Sequence, residues 1–237
     1  MYYERNVVGL SFSDLIRKAK KEDISDKIFP YTPEICRCRY CKYCHKGKCT
    51  LKRCCCMKER VRARSCNFTE ILEDVFETIK DNVFHFRLRI AEERATELKT
   101  CFLDSEHRKR FYEGCTLTRK NEYSFIAQIF LLSISETLWQ SAKDVLYSGR
   151  IDYSNMDLRR FEDNDYLYFC ASMDLQYESS HTSIKDLSND EVIDFDAFRM
   201  ICHAVAIFIY GMDAVKIAEK KGRGKKNRHK CKVRESE

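Results

Sequence analysis

The sequence predicts a mainly α-helical protein built from an N-terminal cysteine-rich zinc-binding module, a long linking helix and a C-terminal helical domain. Three observations carry this reading. Glycine (seven) and proline (two) are scarce among 237 residues, which disfavours turn-rich β architecture. Apolar residues recur at intervals of three and four through the later part of the chain, the period of a helix with one buried face. Nine of the fourteen cysteines fall between Cys36 and Cys66, a density that no ordinary core requires.

The expected organisation is an N-terminal helix and linker over 1–35, the cysteine module over 36–66, the long helix over 67–100, the helical domain over 101–219 and a basic tail over 220–237. Residues 11–22 (SFSDLIRKAKKE) predict a short helix capped by Ser11 or Ser13, with Leu15, Ile16 and Ala19 on one face. Pro30 and Pro33 then push their preceding residues to extended conformations. Met57–Ser65 is helix-compatible. Asn67 is a good N-cap, and Leu72, Phe76, Ile79, Val83, Phe86 and Ile90 follow at spacings of 4, 3, 4, 3 and 4. This heptad seam predicts one unbroken helix to about Lys99, a core helix first and a dimeric coiled coil as the alternative. Beyond Cys101, a short helix is expected to end at Gly114. Asn121–Tyr147 predicts the most apolar helix of the domain, residues 150–165 and 177–189 predict polar connections, and Tyr166–Gln176 a helix. Phe195–Tyr210 predicts a buried helix stopped by Gly211, with a last amphipathic turn or two after it.

Charge is unevenly placed. Residues 36–66 hold eleven Lys/Arg and one acid, and residues 220–234 hold nine Lys/Arg and none. The remainder has 23 bases against 36 acids, so an acidic body carries two basic appendages. Basic segments suit phosphate or an acidic protein; an acidic body suits a basic partner and repels nucleic acid. The start of the chain lacks an apolar signal core, and the longest apolar stretches are too short to span a bilayer. A cytoplasmic protein of a bacterial host, with reduced thiols, is therefore expected, and a disulfide knot is the competing reading if the chain were secreted.

In a reducing compartment, clustered cysteines point to metal. Cys38-x2-Cys41, Cys41-x2-Cys44 and Cys49-x4-Cys54 have the short spacings by which two thiolates grip one ion, and Zn²⁺ favours four such ligands. The candidate ligands are Cys38, Cys41, Cys44, Cys49, Cys54, Cys55 and Cys56. Cys41 is shared by two alternative pairs, and Cys54, Cys55 and Cys56 cannot all bind one ion, so the ligand set stays open. One ion is expected, with two as an alternative that draws on Cys36, Cys44, His45 or Cys66, and an iron–sulfur cluster as a further one. A nearly all-thiolate set with Glu59 as its lone acid indicates a closed structural site. Candidate contacts to nucleic acid or an acidic partner are Arg37, Arg39, Lys42, Lys46, Lys48, Lys52, Arg53, Arg60, Arg62 and Arg64.

Elsewhere the sequence offers no catalytic motif. Cys170 and Cys202 lie in apolar helices as small core residues, Trp139 reads as core, and His85, His107, His181 and His203 show no metal spacing. No enzyme is expected.

Two segments carry a resemblance. Cys38-Arg-Tyr-Cys41, then Gly47-Lys-Cys49-Thr50-Leu51-x-x-Cys54-Cys55-Cys56, resembles a cysteine cassette in small proteins of Firmicutes mobile elements and prophages, from which Cys36 and Cys44 depart as extra cysteines. Phe102-Leu-Asp-x-Glu-His107-x-x-Arg-Phe111 through Tyr210-Gly211 resembles a helical family of uncharacterised Firmicutes proteins. The resemblance implies an accessory protein of a phage or conjugative element. Such proteins often block host defence, the anti-CRISPR proteins among them. The expected function is binding and inhibition of a host complex such as a CRISPR effector nuclease; the alternative is a zinc-stabilised nucleic-acid-binding regulator.

Overall fold

A computed structural model describes residues 57–62, 64, 66–117, 122–147 and 149–219, together with the backbone of Cys44–His45 and Lys48–Cys49. The described part is mainly helical, with 70% of it in helices. The expected helix over 11–22 and the basic tail lie outside the described residues, as does most of the cysteine module.

Strands β1 (Cys44–His45) and β2 (Lys48–Cys49) pair antiparallel. Helix α1 (Met57–Arg62) leads into the body. Helix α2 (Phe68–Phe76) starts at a reciprocal cap: the Asn67 side chain accepts from the Glu70 amide at 2.8 Å, and Glu70 accepts from the Asn67 amide at 2.7 Å. Helix α3 (Asn82–Leu98) follows, then α4 (Ser105–Leu117), α5 (Tyr123–Leu132) and α6 (Glu136–Asp144). A two-residue hairpin, β3 (Leu146–Tyr147) with β4 (Arg150–Ile151), and a 3₁₀ turn at Tyr153–Asn155 lead to α7 (Asp163–Tyr177). Helices α8 (Ile184–Ser188), α9 (Phe195–Tyr210) and α10 (Met212–Ala218) complete the body.

The core is organised around α9 and α5, the two most apolar helices. Every residue of α5 from Phe125 to Leu132 is buried, and α9 is buried from Ala197 to Phe208. A helix buried on nearly all sides needs neighbours on all sides. Helices α2, α3, α7 and α10 pack on α9, and α4, α6 and α7 pack on α5. Phe102, Phe111, Phe130 and His107 form one aromatic cluster between α4 and α5.

Four expectations change. The helix expected over 67–100 is two helices, because Asp81 caps a new start: its carboxylate accepts from the Phe84 amide at 2.8 Å. His85 seals the break, its Nε2 bonded to the Ile79 carbonyl at 2.6 Å. The helix expected over 121–147 also divides, at Ser133–Ser135, where Ser135 caps α6. Gly114 lies within α4 instead of ending it: a Cβ there would meet Ile129 and Trp139, each at 2.6 Å, so the glycine permits close helix packing. The polar stretch over 177–189 contains α8, started by Ser183 and Asp186 in a capping box. Gly211 does stop α9, with φ 62° and ψ −151°, and the Tyr123 ring covers it. Among the described residues, no helix is long and apolar enough to cross a membrane.

Candidate interaction surfaces

The register of β1 and β2 makes Cys44 and Cys49 cross-strand partners, with His45 opposite Lys48. Lys46-Gly47 connects the strands in the sequence. Directly opposed residues of an antiparallel pair have Cα atoms about 4.5–5.5 Å apart, close enough for two donors of one ion. Of the other candidate ligands, Cys38, Cys41, Cys54, Cys55 and Cys56 lie outside the described residues, as do Arg37, Arg39, Lys42, Lys46, Lys52 and Arg53.

Helix α1 joins the module to the body. Met57 and Val61 are buried against α2 and α10. Arg60 was expected to face a partner; it is instead 2% exposed, and its guanidinium donates to Glu70 at 2.5 Å. The helix period explains the correction, since Arg60 lies three residues from Met57 and one from Val61 on the inward side. Arg62 and Arg64 are exposed, with Arg64 in the left-handed region at φ 51°. Beside α1 opens a cleft of about 410 Å³ lined by Lys58, Arg62, Tyr123, Tyr210, Glu122 and Asp213 among others. Its two bases and two acids balance, so it has no strong preference for ligand charge.

The acidic surface is better defined. Residues 67–219 hold 28 acids and 17 bases, and 151–200 alone hold twelve acids and four bases. The starts of α7 and α9 meet where Asn164 Nδ2 donates to Asp194 at 2.8 Å. Around this junction Glu162, Asp163, Asp190, Glu191, Asp194 and Asp196 are exposed.

Beside it lies an apolar stripe. Val83, Phe86 and Ile90 are 55%, 61% and 39% exposed. They are the second half of the heptad seam expected to be core. The break at Asp81 resets the helix phase, so Phe84, Leu88, Ala91 and Ala95 turn inward instead. Arg87, buried on the same helix, donates to the carbonyls of Leu187 (2.7 Å), Ile193 (2.5 Å) and Asp194 (3.0 Å). Its guanidinium also stacks over Phe198 at 4.6 Å. Burial lowers its pKa, while the nearby charges of Asp190 and Asp194 favour its cationic form. This residue pins the 189–194 loop, with Val192 59% exposed, alongside α3. No sequence signal marks Arg87, which sits amid an apolar pattern as an ordinary helix charge.

The remaining polar groups inside the body serve its architecture. His107 Nε2 donates to the Phe130 carbonyl at 2.8 Å while its Nδ1 accepts from the Leu103 amide at 3.1 Å. His203 Nδ1 donates to the Cys101 carbonyl at 2.8 Å. Burial lowers both imidazoles to about 3. Cys101 and Cys202 are fully buried, and burial raises their thiols well above the ordinary range, so neither is a ready nucleophile. Asp174, also buried, accepts from Ser179 Oγ (2.7 Å), the His181 amide (3.0 Å), His181 Nδ1 (2.8 Å) and the Thr182 amide (2.8 Å), which fixes the loop after α7. Trp139 is core, as expected, with its Nε1 donating to Glu113 at 3.2 Å. Among the described residues, no group of three or more His, Cys, Asp or Glu could hold a metal ion.

Comparison of the chain with protein-family models, curated proteins and solved structures finds no match in any of the three.

Proposed function

We propose that the chain is a zinc-containing accessory protein of a phage or mobile element that acts by binding and inhibiting a host defence complex, in the manner of an anti-CRISPR protein. The observation that carries this reading is the charge map. A helical body with a balance of −11 over 67–219 presents exposed acids at the α7–α9 junction. Enzymes that handle nucleic acid hold it in basic grooves, and an acidic, structured surface is the natural competitor for such a groove. The partner is therefore a basic protein surface, with a CRISPR effector nuclease as the specific expectation.

Zinc is part of the proposal. The density and spacing of cysteines support it, and so does the register that sets Cys44 opposite Cys49. Bound there, zinc would supply a fold-stabilising crosslink for a segment too small to build a core. The competing reading, a nucleic-acid-binding regulator, draws on the module and the tail. It is disfavoured by the acidic body and by the inward Arg60–Glu70 pair, which removes one of its contacts.

The test is an inhibition assay. Purified zinc-replete protein is titrated into a host effector nuclease before its target nucleic acid is added. The proposal expects stoichiometric loss of cleavage, relieved when Asp190, Glu191, Asp194 and Asp196 are neutralised together. Undiminished cleavage at saturating protein, across the host's effectors, counts against it.

A further inference from the structure

Strands β1 and β2 are joined by two residues, Lys46-Gly47. In so tight a hairpin His45 and Lys48, beside the loop, are the hydrogen-bonded pair, and Cys44 with Cys49 is the next, non-hydrogen-bonded one. Cα atoms of a non-hydrogen-bonded pair stand about 4.5 Å apart, and a disulfide spans Cα separations of about 4.4–6.8 Å. Cross-strand partners also share a face, so Cys44 and Cys49 lie on one face of the hairpin and His45 and Lys48 on the other. The backbone register therefore meets the separation that a disulfide needs. Adjacent cysteines do not meet it: consecutive Cα atoms are about 3.8 Å apart, which excludes Cys54 with Cys55 and Cys55 with Cys56. Lys42, Lys46 and Lys48 lie within two residues of Cys44 or Cys49 in sequence, and no acid falls between Glu34 and Glu59. Neighbouring cations favour thiolate, the form of cysteine that both binds metal and reacts with oxidants.

We infer that Cys44 and Cys49 form a redox switch on the zinc site: as thiolates they are two donors to one ion, and a peroxide converts them to a disulfide that releases it. This rests on the zinc part of the proposed function and adds a means of regulation to that site. One thiolate attacks the O–O bond of hydrogen peroxide, which forms a sulfenic acid and expels hydroxide. The second thiolate attacks that sulfur; the S–S bond forms, the S–O bond breaks and a second hydroxide leaves. The two sulfurs supply the two electrons that reduce the peroxide, and two protons from solvent turn the hydroxides into water. Metal ligation needs thiolate, so the ion loses two of its donors when the disulfide forms. A thiol reductant reverses the exchange. The body is shielded from the same oxidant, since Cys101 and Cys202 are fully buried, and α1 stays docked through buried Met57 and Val61. Oxidation therefore acts on the module and leaves the acidic body as it is.

The test uses the full, zinc-replete chain without oxygen, titrated with hydrogen peroxide beside a chromogenic zinc chelator too weak to strip the reduced protein. Zinc release should rise in step with disulfide formation, with Cys44–Cys49 the first linkage found by peptide mass mapping. Dithiothreitol and added zinc should restore the bound metal. Cys44→Ser and Cys49→Ser should each lose zinc to the chelator without any peroxide, with the helical circular dichroism of the body retained. Cys115→Ser, in the body, should keep both the zinc and the peroxide response. Three results overturn the inference: zinc release with Cys44 and Cys49 unlinked, a Cys44–Cys49 disulfide in a chain that keeps its zinc, or parental zinc affinity in either serine variant. A reduced chain that binds no zinc overturns the switch together with the zinc part of the proposed function. Nuclease inhibition is read separately, on the reduced chain; its absence, with the switch intact, overturns the inhibitor reading alone.

Discussion

At the scale of single residues, the described body depends on polar groups placed where water cannot reach. Arg87 satisfies three carbonyls at once. Truncating it leaves the Leu187 and Ile193 carbonyls buried and unpaired, at about 1–3 kcal/mol each, while the Asp194 carbonyl keeps the Phe198 amide. Arg87→Ala should therefore destabilise the body by several kcal/mol in urea unfolding and raise hydrogen exchange selectively in 187–194; unchanged exchange there would contradict its role. The buried imidazoles set a pH dependence. His107 and His203 have folded pKa values of about 3 against an ordinary 6.5, so the unfolded chain binds more protons in between. Their contribution is complete above about 6.5 and is lost as pH falls towards 3. Two rings give a slope of up to about 2.7 kcal/mol per pH unit. Glu92 opposes them: burial and then the nearby Glu73 charge raise it from 4.5 to about 7, so it favours the fold at low pH and disfavours it above 7. Between pH 6 and 5 a net loss of stability is expected in the parent, steeper in Glu92→Gln, which should also melt higher above pH 7. A flat profile over that window in both proteins would contradict these assignments. None of this was legible beforehand, because a histidine in sequence shows neither its burial nor its tautomer.

At the scale of elements, existence was easier to read than boundaries. The helix at Phe195–Tyr210 follows from apolar spacing and its glycine stop and formed where expected, whereas the one expected over Tyr166–Gln176 starts three residues earlier, at Asp163, inside the stretch expected to be a polar connection. The seam from Leu72 to Ile90 misled because a heptad pattern is indifferent to a cap inside it. Asp81 was the available signal, an acidic N-cap residue ahead of an apolar pattern. Removing it by Asp81→Ala should cost about 1 kcal/mol and raise exchange at the first turn of α3 without moving α2. Gly114 misled for a different reason. A glycine near a helix end reads as a stop, yet here its missing side chain admits Trp139 and Ile129. Gly114→Ala should destabilise by about 1–3 kcal/mol through overpacking, checked by thermal melting; a stabilised variant would show that the glycine was merely a weak helix former.

At the scale of the whole molecule, composition and charge were the most informative features, since they need no knowledge of packing. They separate an acidic helical body from two basic segments, and the described body carries its acids on the surface around the α7–α9 junction. The site itself was less legible: the α3 stripe looked like core until the break at Asp81 turned it outward, and its walling loop comes from residues a hundred positions away. On the zinc proposal, metal analysis of the purified chain should return one zinc per molecule. A chelator should release it with loss of structure in the module, and helical circular dichroism from the body should persist. The central claim is that this body binds a basic protein of host defence. Affinity capture from a host lysate, with the zinc-loaded chain as bait and mass spectrometry as readout, tests it most directly. Recovery of an effector nuclease in near-stoichiometric amount, and its loss when the acids of the α7–α9 junction are neutralised, is the predicted result. Capture of nucleic acid alone, with binding that falls steeply with salt and no defence protein present, would contradict it.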